Sequence, residues 1–125
     1  MNAATEPKAA LPAESAVGLL QQLATIGDTT TVVLHGGCVF EFKGPFPAGS
    51  IAAGCYNLHG TRPGFEGHLR LDTMARITFQ DRPHRGRASY AFVFEDRDNR
   101  PIFKVFLGRD ADGDIFAEQL EFFRR

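Results

Sequence analysis

The stretch from Tyr56 to Leu71 (YNLHGTRPGFEGHLRL) holds the residues whose types and spacing are best suited to chemistry. Two of the four histidines lie in it, and its glycines and proline predict a sharp turn between two short strands. If the second strand begins at His68, a period of two places His68 and Arg70 on one face and the leucines on the other. That face presents an imidazole, which is a lone-pair ligand, beside a guanidinium, which binds anions. A solvent-facing strand position without a function is the alternative interpretation.

His35 is the second candidate ligand. The segment 29–43 is rich in β-branched and alternating residues with Gly-Gly at its centre, which is typical of a hairpin with a two-residue turn. Such a turn pairs His35 with Cys38, so that His35 shares its face with Phe40 and Phe42. The imidazole is therefore expected to lie against an aromatic surface. The alternative is a half-buried histidine bonded to a backbone carbonyl.

The segment RPHRGR, from Arg82 to Arg87, is a local basic turn that combines three arginines with His84. An anion-binding site and a solvated turn are both compatible with this composition.

Motifs for several kinds of catalysis are missing from the sequence. It contains no HExxH, no CxxC, no GxSxG and no phosphate loop, so zinc hydrolysis, thiol redox chemistry and acyl transfer have no support. The aspartates at 110, 112 and 114 are expected to cap the last helix rather than to bind calcium, since the sixth position of a calcium loop is not glycine here and Glu121, eleven residues beyond Asp110, falls inside the predicted helix. Cys38 and Cys55 are expected to be small core residues.

The elements that must position these residues form an α+β domain. The pattern predicts a short amphipathic helix that ends at Gly27, five to seven antiparallel strands, and a closing helix opened by Asp112-Gly113-Asp114. Residues 1–11 are predicted to be a flexible tail, and residues 12–125 a single domain.

Composition narrows the class of protein. With 125 residues, 43% hydrophobic and 23% charged, the chain is typical of one globular domain. The net charge of -1 argues against general nucleic-acid binding. No apolar run approaches membrane-spanning length and the N-terminus does not resemble a secretion signal, so membrane insertion is not expected and the cytoplasm is the expected location. Twelve phenylalanines and no tryptophan indicate an interior or binding face rich in flat rings.

Four segments together resemble the intracellular haem-utilisation carriers of the ChuX and HutX type, whose protomer is similar to one half of the larger HemS-type proteins. They are VVLHGGCVFEFKGPFPAG, YNLHG followed by GHLRLD, ITFQDRPHRGRAS and PIFKVFLGRDADGDIFAEQLEFF. The FKVFLGRD block with the EQ-containing helix after it is the most specific piece. Relatives typically carry longer terminal helical segments, and apolar residues where His84 and Arg85 stand here.

The resemblance implies a cytoplasmic protein built on a large antiparallel sheet with short helices at both ends. It would bind haem (b-type, reversibly) as a homodimer and pass it to an accepting enzyme or storage protein. The family's two haem-holding histidines match His35 and His68, which we expect to project over a ring-lined hollow. A haem-degrading enzyme of the HemS-like type and a dimeric module without haem binding are the alternatives.

The chemistry of haem assigns further roles within this resemblance. Haem is a flat apolar disc with an iron that accepts imidazole nitrogen and two propionates that need cationic partners. Phe40 and Phe42 are expected to contact the disc. Arg70 with Arg82, Arg85 or Arg87 is expected to pair the propionates, and His84 would add a third imidazole near the pocket.

Overall fold

The computed structural model describes residues 10–60 and 64–124. Its strands are β1 Ala10–Pro12, β2 Asp28–His35, β3 Cys38–Pro45, β4 Gly49–Ala52, β5 Cys55–His59, β6 Glu66–Arg70, β7 Arg76–Asp81, β8 Tyr90–Glu95 and β9 Pro101–Leu107. Its α-helices are α1 Ala16–Leu23 and α2 Ala117–Phe123.

The strands form two antiparallel sheets. The large sheet has six strands in the order β1-β7-β8-β9-β2-β3, and the small sheet has three in the order β4-β5-β6. With a short helix near each end of the chain, the predicted α+β class and the large antiparallel sheet are confirmed. The described residues hold nine strands rather than five to seven, because β1 and β4 are three or four residues long and carry no clear alternation.

The predicted tail lies mostly outside the described residues, which begin at Ala10. Ala10 and Leu11 themselves belong to β1, and Leu11 pairs with Ile77 of β7. This short pairing covers one edge of the large sheet.

The core lies between one face of the large sheet and the layer formed by both helices and the small sheet. Its fully buried members include Leu20 and Leu23 of α1, Ile77, Phe94 and Val105. The rings of Phe94 and Phe103 stack with centroids 4.4 Å apart. Many of the phenylalanines therefore serve the core rather than a binding face.

The last helix begins later than predicted, at Ala117. Asp110 does not cap it, because its Oδ1 accepts hydrogen bonds from the backbone N–H of Asp112 (2.9 Å) and Asp114 (3.0 Å). The aspartates therefore close a turn of their own between β9 and α2.

The opposite face of the large sheet is covered by neither helix nor by the small sheet in the described part of the chain. We call it the open face. Its centre holds Val32, Ala91 and Val93, and Leu34 and Val39 lie exposed toward one end.

Candidate functional site

The hairpin of β2 and β3 has the predicted register. His35 pairs with Cys38 across Gly36 and Gly37, whose φ angles of 59° and 81° are those of a type I′ turn. This places His35 at the end of β2 on the same face as Phe40. Cys38 is exposed, so its prediction as a core residue is wrong, because β3 is an edge strand that continues past the packed layer.

Phe40 and Phe42, the two rings predicted to contact haem, differ in how much of their surface other side chains cover. Phe42 stacks on Phe65 with centroids 4.7 Å apart and an interplanar angle of 20°. Phe65 in turn meets Phe46 edge to face at 5.8 Å. Phe40 is 52% exposed. Phe40 is thus the ring near His35 that offers free apolar surface.

His68 lies in β6, and the predicted alternation holds there. His68 and Arg70 are exposed, while Leu69 between them packs against the core. Arg70 donates a hydrogen bond to Asp72 at 3.0 Å, in an ion pair with both side chains well exposed. The imidazole and the guanidinium therefore share the outer face of the small sheet, with a carboxylate beside the guanidinium.

Asn57 of β5 holds the ring of His68. The two residues pair across the strands, and Asn57 Oδ1 lies 2.6 Å from His68 Nδ1. The amide nitrogen of Asn57 donates to the backbone oxygens of Ser50 (3.4 Å) and Ala52 (3.3 Å) in β4. The same face also carries His59, whose Nε2 lies 2.8 Å from Ser50 Oγ. The sequence pattern did not single out Asn57, although its register opposite His68 follows from a correct hairpin assignment.

His35 and His68 lie on different sheets and do not share a face. The face of β3 that carries Phe42 turns toward Phe65, which shares the inner side of the small sheet with Leu69. His68 points to the outer side of that sheet, because side chains alternate along a strand.

A cleft of about 760 Å³ lies on the open face. Its lining includes Arg82, His84, Lys43 and Lys104. Lys104 donates a hydrogen bond to Gln80 at 2.8 Å. Burial, and then the charge of Arg82, lower the pKa of Lys104. This end of the open face is therefore rich in positive charge.

The structure does not bring the basic turn together with His35 and His68. The turn lies where β2 begins, and His35 stands at the far end of that strand, roughly 20 Å away at the usual rise per residue. Arg82 and His84 line the cleft, whereas Arg87 forms an ion pair with Asp114 at 3.7 Å. The expectation that these residues join the histidines in one site fails within a single chain, because the strand order separates them.

A second cavity of about 190 Å³ lies beside Phe46, Phe65 and His59. It is smaller than the roughly 300 Å³ at which small-molecule pockets begin. Neither this cavity nor the cleft is lined by His35 or His68. In the described chain both imidazoles are surface groups rather than walls of a hollow.

Among the described residues, no three side chains of His, Cys, Asp or Glu are placed to hold a bare metal ion. No helix in this part of the chain is long and apolar enough to cross a membrane.

The family model described as haem utilisation ChuX/HutX matches residues 9–125 of this sequence. The chain belongs to the ChuX/HutX family. This confirms the resemblance drawn from the four sequence segments.

Two individual proteins agree with this assignment, and a third shares the fold alone. The intracellular heme transport protein HutX of Vibrio cholerae is 36% identical over 106 residues, covering 85% of this chain and 55% of HutX, so the chain spans about half the length of this relative. The solved structure of the heme-binding protein ChuX aligns with a TM-score of 0.83 and 26% identity, over 92% of this chain and 72% of ChuX. Holo-PhuS, a heme-binding protein of Pseudomonas aeruginosa, shares the fold, with a TM-score of 0.75 and 18% identity over 91% of this chain and 33% of PhuS.

Proposed function

We propose that this protein is an intracellular carrier that binds haem reversibly and passes it on during haem uptake and iron utilisation. The family match over residues 9–125 supports this, as do the heme transport and heme binding named for HutX and ChuX. Within the chain, the observation that most supports this proposal is the exposed imidazole of His68. Its Nδ1 is held by a hydrogen bond to Asn57, and the guanidinium of Arg70 lies on the same face. That arrangement offers one nitrogen to iron and one cation to a propionate.

The proposed site uses few residues. His68 binds the iron through a ring nitrogen. Arg70 gives up its ion pair with Asp72 and binds a propionate instead. His35 is a second imidazole ligand, with the exposed ring of Phe40 beside it as an apolar surface for the disc. Arg82, His84 and Arg87 are left out of this set, because Arg82 and His84 line the cleft at the other end of β2 and Arg87 is paired with Asp114.

An exposed site suits a carrier. Affinity differences between related complexes lie mostly in the dissociation rate, so a shallow site of moderate affinity releases its cargo faster than an enclosed one. The recipient is expected to be a haem-accepting enzyme or storage protein that binds haem more tightly.

The direct test is a hemin titration of the purified chain followed by absorption in the Soret region. We expect a saturable red-shifted band with one haem per chain and a dissociation constant on the order of micromolar or below. Excess apomyoglobin should then remove the haem completely. A titration that stays linear and matches hemin in buffer would refute the carrier.

The same complex discriminates the enzymatic alternative. With ascorbate as reductant, a carrier keeps its haem intact. Loss of the Soret band with release of iron and a linear tetrapyrrole would instead establish ring opening, and would replace the carrier by a haem-degrading enzyme.

We further propose that the protein is a homodimer that pairs through the open face. Leu34 and Val39 are cross-strand neighbours on this face and are 39% and 57% exposed. Glu41 and Lys104 line it as well, so a two-fold arrangement can oppose charges of opposite sign. Contiguous apolar surface of this kind is typical of an interface.

A charge placed at Val39 is expected to convert the dimer into a monomer. Val39→Asp puts an unpaired carboxylate into the apolar contact, and size-exclusion chromatography with light scattering measures the resulting mass. Ile51→Asp is the matched control, since Ile51 is also 57% exposed but lies in the small sheet. A wild-type protein that is monomeric at the highest soluble concentration, or a Val39→Asp variant that is still dimeric, would contradict this interface.

A further inference from the structure

We infer that Asn57 is a positioning residue that keeps His68 in the tautomer with the proton on Nδ1 and leaves the lone pair on Nε2. The inference rests on the proposed ligand role of His68 and adds to it the device that prepares the ring. Asn57 belongs to the central strand of the small sheet and does not itself reach the iron. Its effect passes through one hydrogen bond.

The orientation of the Asn57 amide follows from its other partners. Its nitrogen lies 3.4 Å from the backbone oxygen of Ser50 and 3.3 Å from that of Ala52. Both groups only accept hydrogen bonds, so the end of the amide that faces them must be the NH₂ group. The reverse orientation would place the amide oxygen against two carbonyl oxygens. The oxygen of Asn57 therefore faces His68.

The tautomer of His68 follows from that orientation. Asn57 Oδ1 lies 2.6 Å from Nδ1 of His68 and carries no proton. A hydrogen bond at this distance thus requires that Nδ1 donates. A neutral imidazole has only one N–H group, so Nε2 keeps the lone pair. The hydrogen bond made by one ring nitrogen in this way decides which nitrogen binds a metal.

The same bond orients an otherwise unrestrained ring. His68 is exposed, whereas Asn57 is half-buried and tied to the neighbouring strand by its two donated bonds. The contact passes from β4 through β5 to β6, because Ser50 pairs with Asn57 and Asn57 pairs with His68. The register of the small sheet thereby aims the lone pair before any ligand arrives.

A comparison of Asn57→Leu with Asn57→Asp isolates the effect of the oxygen that accepts the hydrogen bond from His68 Nδ1. Leucine has a similar size but no acceptor, and aspartate keeps an oxygen opposite Nδ1. Both substitutions lose the NH₂ group that binds the β4 carbonyls. We expect Asn57→Leu to weaken hemin binding by about 10- to 100-fold, the range typical of outer-shell partners of a metal ligand, and Asn57→Asp to stay within about threefold of wild type. A purely structural role would make the two variants equally weak, and that result would overturn the inference.

The tautomer is also measurable without haem. Long-range ¹H–¹⁵N spectra of the apo protein distinguish a protonated Nδ1 from a protonated Nε2. We expect His68 to show the Nδ1–H pattern in the wild type and in Asn57→Asp, and a mixture in Asn57→Leu. Ser50→Ala is the matched control, because it removes the hydroxyl that contacts His59 and leaves Asn57 in place. Its His68 signals should be unchanged.

These readouts separate failure of the inference from failure of the proposed function. If the wild type does not bind hemin, the carrier is refuted while the apo spectra still decide the tautomer. If the wild-type ring carries its proton on Nε2, the inference is overturned whatever the hemin titration shows. The wild-type spectrum also decides the question if Asn57→Leu does not fold.

Discussion

Replacing His68 by alanine is expected to weaken hemin binding by at least about 100-fold, since loss of the ligand itself should exceed the 10- to 100-fold cost typical of losing an outer-shell partner. The residual complex should also change colour, because an iron without its imidazole takes water or another weak ligand. Titration in the Soret region measures the affinity and the spectrum reports the ligand. The substituted side chain is exposed and outside the core, so stability should be unaffected.

The control for His68→Ala is His59→Ala. His59 is also exposed, lies in the neighbouring strand and shares the outer face of the small sheet. It differs in that its Nε2 is engaged by Ser50 Oγ. A general loss of an imidazole or of polar surface would affect both variants alike. Equal affinities of His68→Ala and wild type would remove His68 from the site.

The contribution of His35 to hemin affinity is best measured with His35→Ala, His68→Ala and the double variant side by side. We expect His35→Ala to weaken hemin binding by about tenfold, which corresponds to about 1.4 kcal/mol. If both imidazoles ligate one iron, the double variant will lose less than the sum of the single losses. Because the two histidines face different sides within one chain, ligation of one iron by both would require two subunits.

Local features of the site were predictable from the sequence because short-range geometry determines them. The Gly-Gly turn sets the pairing of His35 with Cys38, since a two-residue loop allows only one register. The common face of His68 and Arg70 needs only the period of two of a strand. Neither feature depends on how the sheets are arranged.

Features that depend on strand order were not predictable from those patterns. The basic turn after β7 lies far from His35 because β9 inserts between β8 and β2 and aligns their ends. The exposure of Cys38 depends on β3 being an edge strand, which a single-strand pattern does not reveal. In both cases the outcome depends on which strands lie beside the hairpin, and the pattern of a single hairpin does not determine that.

Gln119 shows a further limit of periodicity. An apolar stripe predicts that a glutamine beside it faces solvent, yet this one is 1% exposed. Its Oε1 accepts from the backbone N–H of Gly108 at 2.7 Å, and its Nε2 donates to the backbone oxygens of Ile26 (2.9 Å) and Asp28 (2.8 Å). These three bonds join α2 to the end of β9 and to the start of β2. The FKVFLGRD block and the EQ-containing helix, the most specific segment of the sequence, thus meet in one buried contact.

Replacing Gly108 by alanine is expected to lower the free energy of unfolding by about 3 to 5 kcal/mol, the sum of a backbone clash and a lost buried hydrogen bond. A Cβ atom at this position would lie 1.9 Å from the backbone oxygen of Asp28 and 3.2 Å from the ring of Phe116. The nearest obstacle is backbone, so no side-chain rotation relieves it. Either β2 or the end of β9 must move, and the bond from Gly108 to Gln119 is strained or lost. Urea unfolding followed by circular dichroism measures the change.

Gly18→Ala is the matched control for Gly108→Ala. Gly18 is an exposed residue of α1, and a methyl group added to it would meet no atom within 4 Å. Alanine there should stabilise the protein by up to about 1 kcal/mol, because glycine is the poorer helix former. The same substitution is thus expected to have opposite signs at two glycines that a composition count treats as equal. A Gly108→Ala variant whose free energy of unfolding stays within about 1 kcal/mol of wild type would contradict a tight contact of β2, β9 and α2. In that case the core at this end of the sheet must be more adaptable than its hydrogen bonds indicate.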